Sequence, residues 1–188
     1  MALPQDNEER LITGEELFRS PGLGPCELVD GRIVPLRPRE RVHGKPEARL
    51  TSRLLNFVES HDRGEVLAGE IGIYIRRNPD TVRAADIVFI SHGRMARCKS
   101  EGYLDVAPEI VVKVLSPKDR PADLAKKIQD YFSAGVDRVW VLDSRQHCIS
   151  MYRSLSEVQE LRPGDILTEE DLLPRLRFAV GDLFDKLP

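Results

Sequence analysis

The sequence predicts an α/β chain of the α+β kind, with helices flanking a mixed β-sheet. Three observations carry this. Glu109-Ile110-Val111-Val112-Lys113-Val114-Leu115 is nearly continuous in apolar residues, as a strand buried on both faces requires. A helical stretch over 121–134 and a second apolar strand over 139–142 follow it, so strand, helix and strand alternate. Near the start, two short apolar segments flank Asp30-Gly31, which predicts an N-terminal β-hairpin. The 188 residues are read as one domain over 1–188. At this size roughly 70% of the unfolded chain's surface is buried on folding, so neither disulfides nor a structural metal are required.

Each element has a local reason. Thr13 with Glu16 three residues on is a capping box opening a short helix. Leu50, Leu54, Phe57 and Val58 fall at helical spacing over 46–60, with Pro46 suited to the first turn. Ile71, Ile73 and Ile75 alternate with Gly72, Tyr74 and Arg76, as in a half-buried strand. Asp86-Ile87-Val88-Phe89-Ile90 reads as a further strand. The helix over 121–134 presents Leu124, Ile128 and Tyr131 on its inward stripe and ends at Gly135. Residues 148–152 are expected to return antiparallel to 139–142.

Apolar residues make up 41% of the chain and charged residues 31%, as in a globular protein rather than a disordered one. No apolar run approaches the ~20 residues that span a bilayer. Cys26, Cys98 and Cys148 are odd in number, widely spaced and without a CxxC pair, which argues against a disulfide framework or a zinc site. The expectation is a cytoplasmic protein with no membrane partner. A net charge of −3 argues against coating nucleic acid through bulk charge. The charge is unevenly spread, however: between Arg32 and Arg53, Arg37, Arg39, Arg41, Lys45 and Arg49 stand against Glu40 and Glu47 alone. This basic arc is either a phosphate-binding surface or a solvated face.

A charge inside a buried strand demands a partner, because an unpaired one costs several kcal/mol, on the order of the desolvation penalty itself. Lys113 is such a charge, and Asp86, at the mouth of a neighbouring strand, is the candidate anion. Lys127 lies on the flank of the inward helical stripe and Lys126 on the opposite side. The set is either a buried salt bridge or a phosphate or metal site. Ser116 is read as a helix-entry cap, Trp140 as core, and His61, His92 and His147 as exposed turn residues.

In order along the chain, several segments together resemble the Uma-type restriction endonuclease family of the PD-(D/E)XK nuclease superfamily. They are Cys26-Glu27-Leu28-Val29-Asp30-Gly31, then His43, then Asp86-Ile87-Val88-Phe89, then 107–117 with its Leu115-Ser116-Pro117. Glu101-Gly102-Tyr103-Leu104, Asp123-Leu124, Lys127, Tyr131, Gly135-Val136, 139–143 and the tail 173–184 complete the set. The resemblance implies a restriction-endonuclease-like mixed sheet and Mg²⁺-dependent (or Mn²⁺-dependent) hydrolysis of DNA phosphodiesters. It matches Asp86 to the first metal-holding acid, Glu27 to the family's hairpin glutamate, expected beside Asp86 around the metal, and Lys127 to the lysine that stabilises developing charge on phosphate. DNA is the implied partner, met by Arg37, Arg39, Arg41, His43 and Lys45, and pairing of two copies is left open.

One position departs from the family. Its second acid, in the strand running into Leu-Ser-Pro, is Lys113 here, a swing of two charge units where the divalent ion belongs. Glu109 cannot replace it, since four strand residues span ~13 Å. Glu70 could, if its strand packs beside Asp86. The sequence therefore leaves two outcomes: an endonuclease weakened or silenced at this position, or a non-catalytic binding module or partner subunit that keeps the fold. If the arc meets phosphate, DNA affinity will fall steeply with salt. Replacing Arg37, Arg39, Arg41 and Lys45 together by Ala will then flatten the slope of log K against log salt by roughly one unit per lost contact. An unchanged slope in a fluorescence-anisotropy titration assigns the arc to solvated surface.

Overall fold

The structure is a computed structural model that describes residues 10–20, 22–36, 41–116 and 119–185, without the side chains of 41–43. Its elements are α1 (Gly14–Phe18), β1 (Cys26–Val29), β2 (Arg32–Pro35), α2 (Arg41–Ser60), β3 (Gly64–Arg76), β4 (Thr81–Ser91) and α3 (His92–Met95). They continue with β5 (Ile110–Val114), α4 (Pro121–Ser133), β6 (Arg138–Asp143), β7 (Cys148–Tyr152), β8 (Val158–Leu161), β9 (Ile166–Glu169), β10 (Leu173–Ala179) and α5 (Gly181–Phe184). The expected α+β architecture is present. Strands β1 to β8 form one mixed sheet, parallel only between β5 and β6, where α4 makes the crossover. No helix among the described residues is long and apolar enough to cross a membrane.

Local chemistry places the first elements. Thr13 and Glu16 form the reciprocal capping box of α1. The β1–β2 hairpin turns through Asp30 at φ 54° and Gly31 at φ 75°, the left-handed pair that a two-residue turn needs. Helix α2 starts earlier than the spacing predicts: Pro46 lies inside it as the sixth residue, where it costs the helix one backbone hydrogen bond. Ser116 does not cap α4; Arg120 holds that position with Pro121 in the first turn. The C-terminal β9–β10 hairpin has no clean alternation in the sequence and was not anticipated. It is tied down by Arg138, which reaches the buried Glu169 and Asp171, and by Arg153, which also reaches Asp171.

Two apolar layers sandwich the sheet. Leu50, Leu54 and Val58 of α2 pack with Val112, Trp140, Met151 and the C-terminal hairpin on one face. Ile128 and Tyr131 of α4 pack with Val88, Val111, Val139 and Val141 on the other. Burial of this kind contributes roughly 1.5–3 kcal/mol for each large side chain.

The topological feature that makes a site is the sharing of one strand edge. β3 lies along one edge of β4, opposite both Val82 and Ile87 to Phe89. β1 pairs with β4 at Val82, and β5 pairs with it at Ile87, Val88 and Phe89. Both therefore sit on the remaining edge, and between them residues 83–86 of β4 face a fork rather than a strand. β3 starts at Gly64, at φ 145°, where an added Cβ would lie 2.1 Å from the carbonyl oxygen of Ile90. Gly64→Ala is expected to lower stability by about 1–3 kcal/mol in urea denaturation, through strain and backbone displacement at the β3–β4 ladder. A variant as stable as the natural chain would show that this end of the ladder yields freely.

Candidate functional site

Ala84, opposite Gly72 of β3, sits in the fork with no strand along its other edge, and side chains satisfy its backbone there. Its N–H donates to Glu27 Oε1 at 2.7 Å, and its carbonyl accepts from the Tyr131 hydroxyl at 2.9 Å. Glu27 belongs to β1 and Tyr131 to α4, so this one residue of β4 joins the hairpin to the helix. Burial holds the Tyr131 hydroxyl well above its ordinary pKa, reinforced by the charges of Glu27 and Asp86, so it stays a donor.

Glu27, 3% exposed, gathers two cations besides that amide. Lys127 Nζ lies 2.7 Å from its Oε1 and Arg83 Nη1 lies 3.0 Å from its Oε2. Arg83 bridges onward to Asp130 of α4 at 2.6 Å. Burial lowers the pKa of the Lys127 ammonium, against the pull of Glu27. Lys126 is exposed, as the helical phase predicts.

The second pair lies where β4 leaves β5. The last paired residues are Ile87 and Val112, so one step further in this antiparallel register Asp86 faces Lys113. Lys113 Nζ stands 3.4 Å from Asp86 Oδ2 and 3.7 Å from Asp119 Oδ2, and donates to the Val114 carbonyl at 2.8 Å. Asp86, fully buried, also accepts the Val114 N–H. The anion that Lys113 demands is thus the one expected. The two pairs are electrostatically continuous: Lys127 feels the charge of Lys113, and Tyr131 feels both Glu27 and Asp86.

Other expected residues fall differently. Glu109 caps the far end of the strand, bonding the Ser91 N–H at 2.9 Å, and takes no part in the fork. Glu70 lies in a bulge where Gly69 and Glu70 together oppose Asp86, so its strand does run beside that residue. Among the described residues, however, no three acidic, histidine or cysteine side chains come together as a metal shell. Arg37 and Arg39 lie outside the described residues. Arg41 and His43 fall in the opening turn of α2, with side chains outside the described part, and Lys45 follows them, half-buried. Trp140 is core, and the exposed His92 pairs with Asp62 at 2.9 Å.

The residues that sequence reasoning missed are Arg83 and Asp130. A signal for Arg83 existed: it interrupts the run Thr81-Val82-Arg83-Ala84-Ala85, every member of which is buried, so the argument made for Lys113 applied to it equally. Glu27→Gln removes the charge that faces both Arg83 and Lys127. It is expected to cost about 3–5 kcal/mol of stability in urea denaturation, because two buried cations lose their counter-charge. A loss below ~1 kcal/mol would mean that solvent or Asp130 takes over that role.

The sequence model of the Uma2 family, described as "Putative restriction endonuclease", matches residues 15–181. Among solved structures, the chain is similar to a protein from Anabaena variabilis described as "a putative nuclease belonging to DUF820". The TM-score is 0.76 and the identity 20%, over 92% of this chain and 97% of that one. No curated protein matches the sequence.

Proposed function

From the premise that this chain belongs to the Uma2 family of nuclease-fold proteins, we propose that it binds DNA while its metal-dependent hydrolysis of phosphodiesters is weakened or lost. The observation carrying this reading is the Lys113 ammonium 3.4 Å from the Asp86 carboxylate. In the superfamily pattern, that cross-strand position supplies the second carboxylate for a divalent ion. The residues present do not fit such an ion between Glu27 and Asp86. Glu27 already compensates Arg83 and Lys127, and Asp86 already faces Lys113.

Magnitude supports the assignment. At about 5 Å and an effective dielectric of 20, one cation repels a divalent ion by ~6–7 kcal/mol before screening and relaxation. A third of that still exceeds tenfold in affinity. The fold's other equipment for phosphate persists in this reading. Lys113 and Lys127, each with 13% of the side chain exposed, are the cations that a phosphodiester would meet at the fork. The basic arc before and within the first turn of α2 supplies further contacts.

The test is a supercoiled plasmid incubated with Mg²⁺ or Mn²⁺. The natural protein is expected to retard DNA in a gel and leave it uncut. Lys113→Glu restores the carboxylate, and nicking above the natural level is expected, abolished again by Asp86→Asn in the same background. Strong nicking by the natural protein would overturn the reading and demand a different set of ligands. Absence of any retardation at low salt would remove DNA as the partner.

A further inference from the structure

The surroundings of Lys113 go beyond simple neutralisation of Asp86. Three oxygens face its Nζ: the Val114 carbonyl at 2.8 Å, Asp86 Oδ2 at 3.4 Å and Asp119 Oδ2 at 3.7 Å. They come from three separate segments: the end of β5, β4, and the stretch leading into α4. Two carboxylates and a backbone carbonyl form the hard oxygen set that ordinarily receives a divalent cation. An ammonium group has three protons to offer and accepts none, so its valence matches this set as well.

We propose that the Lys113 ammonium is a resident cation, tethered to β5, that takes the structural place of a divalent ion and keeps the fork assembled without one. This rests on the reading that metal has been displaced from the site, and extends it to how the site holds together. Val114 shows the integration: its N–H donates to Asp86 and its carbonyl accepts from Lys113, so the pair meets both backbone groups at the end of β5. The site's assembly in the natural protein is then indifferent to divalent ions. Removing the ammonium and supplying a carboxylate in its place transfers that dependence to metal.

The experiment follows thermal unfolding of the natural protein, Lys113→Glu and Lys113→Met in EDTA and with added Mn²⁺. The natural Tm is expected to be the same in both conditions. Lys113→Glu is expected to melt lower in EDTA and to rise by about 5–10 °C at a hundredfold excess of Mn²⁺ over its Kd. Lys113→Met keeps the aliphatic stem but offers no proton, so its Tm falls and Mn²⁺ does not restore it. A folded Lys113→Glu protein that ignores Mn²⁺ overturns the proposal. If that variant is not recovered, Lys113→Met decides, and a natural Tm in this variant overturns it. In the natural protein, Mn²⁺ is expected to leave the amide NMR signals of Asp86 and Val114 sharp, and selective broadening there also overturns it. None of these readouts involves DNA, so they fail independently of the plasmid assay, which judges the functional reading alone.

Discussion

One strand edge shared by two neighbours is the constraint on which the rest of the structure depends. β1 and β5 both pair with the edge of β4 that β3 leaves free, and they cannot meet there without leaving backbone groups exposed. A buried amide or carbonyl without a partner costs on the order of 1–3 kcal/mol, so the fork persists only if side chains fill it. Glu27 and Tyr131 do so at Ala84, and Asp86 does so at Val114. The acidic residues of this site are therefore structural members of the fork before they are anything else.

That role brings charge into the interior, and charge in turn dictates the lysines. Glu27 and Asp86 are both almost entirely buried, and each is met by cations from another element. In a conventional metal-holding fork the divalent ion would supply part of that compensation. Here the compensation comes from Lys113, Lys127 and Arg83, with Asp119 and Asp130 at the partly exposed margin. Burying such pairs gives little net stability, whereas removing one member leaves an uncompensated charge. The arrangement consequently resists gradual change: a substitution at one position costs stability unless a matching change, or an ion, restores the charge balance.

How much of this was legible in the sequence follows the range of the interactions. The capping box of α1, the Asp30-Gly31 hairpin, β5 and α4 depend on neighbours within a few residues, and the chain spells them out. The Lys113–Asp86 pair was also legible, because a charge in a buried strand implies its partner by desolvation alone. Glu27 could be placed only through the resemblance to a family; nothing in its local sequence says that it reaches Ala84, 57 residues away. The demand of Arg83 for an anion is legible as that of Lys113 is, but its partners Glu27 and Asp130, like the C-terminal hairpin, are set by topology. Pro46 reads as a first-turn residue, yet it is the sixth residue of α2, where packing of the helix outweighs the one backbone hydrogen bond it removes.

Lys113 illustrates how a cation supplied by the chain itself can hold buried carboxylates together. An uncharged residue at this position would take one buried cation away from Asp86, and a carboxylate there would add a second negative charge beside it. A lysine meets the electrostatic demand from within the chain. Its length lets Nζ turn past Asp86 to the Val114 carbonyl and toward Asp119, so it satisfies the geometry as well as the charge. The same property sets the functional consequence. A divalent ion is exchangeable, carries bound water and can present it to a phosphodiester. An ammonium fixed to β5 can contact phosphate oxygen but brings no bound water to activate, which is the physical basis of the proposed loss of hydrolysis.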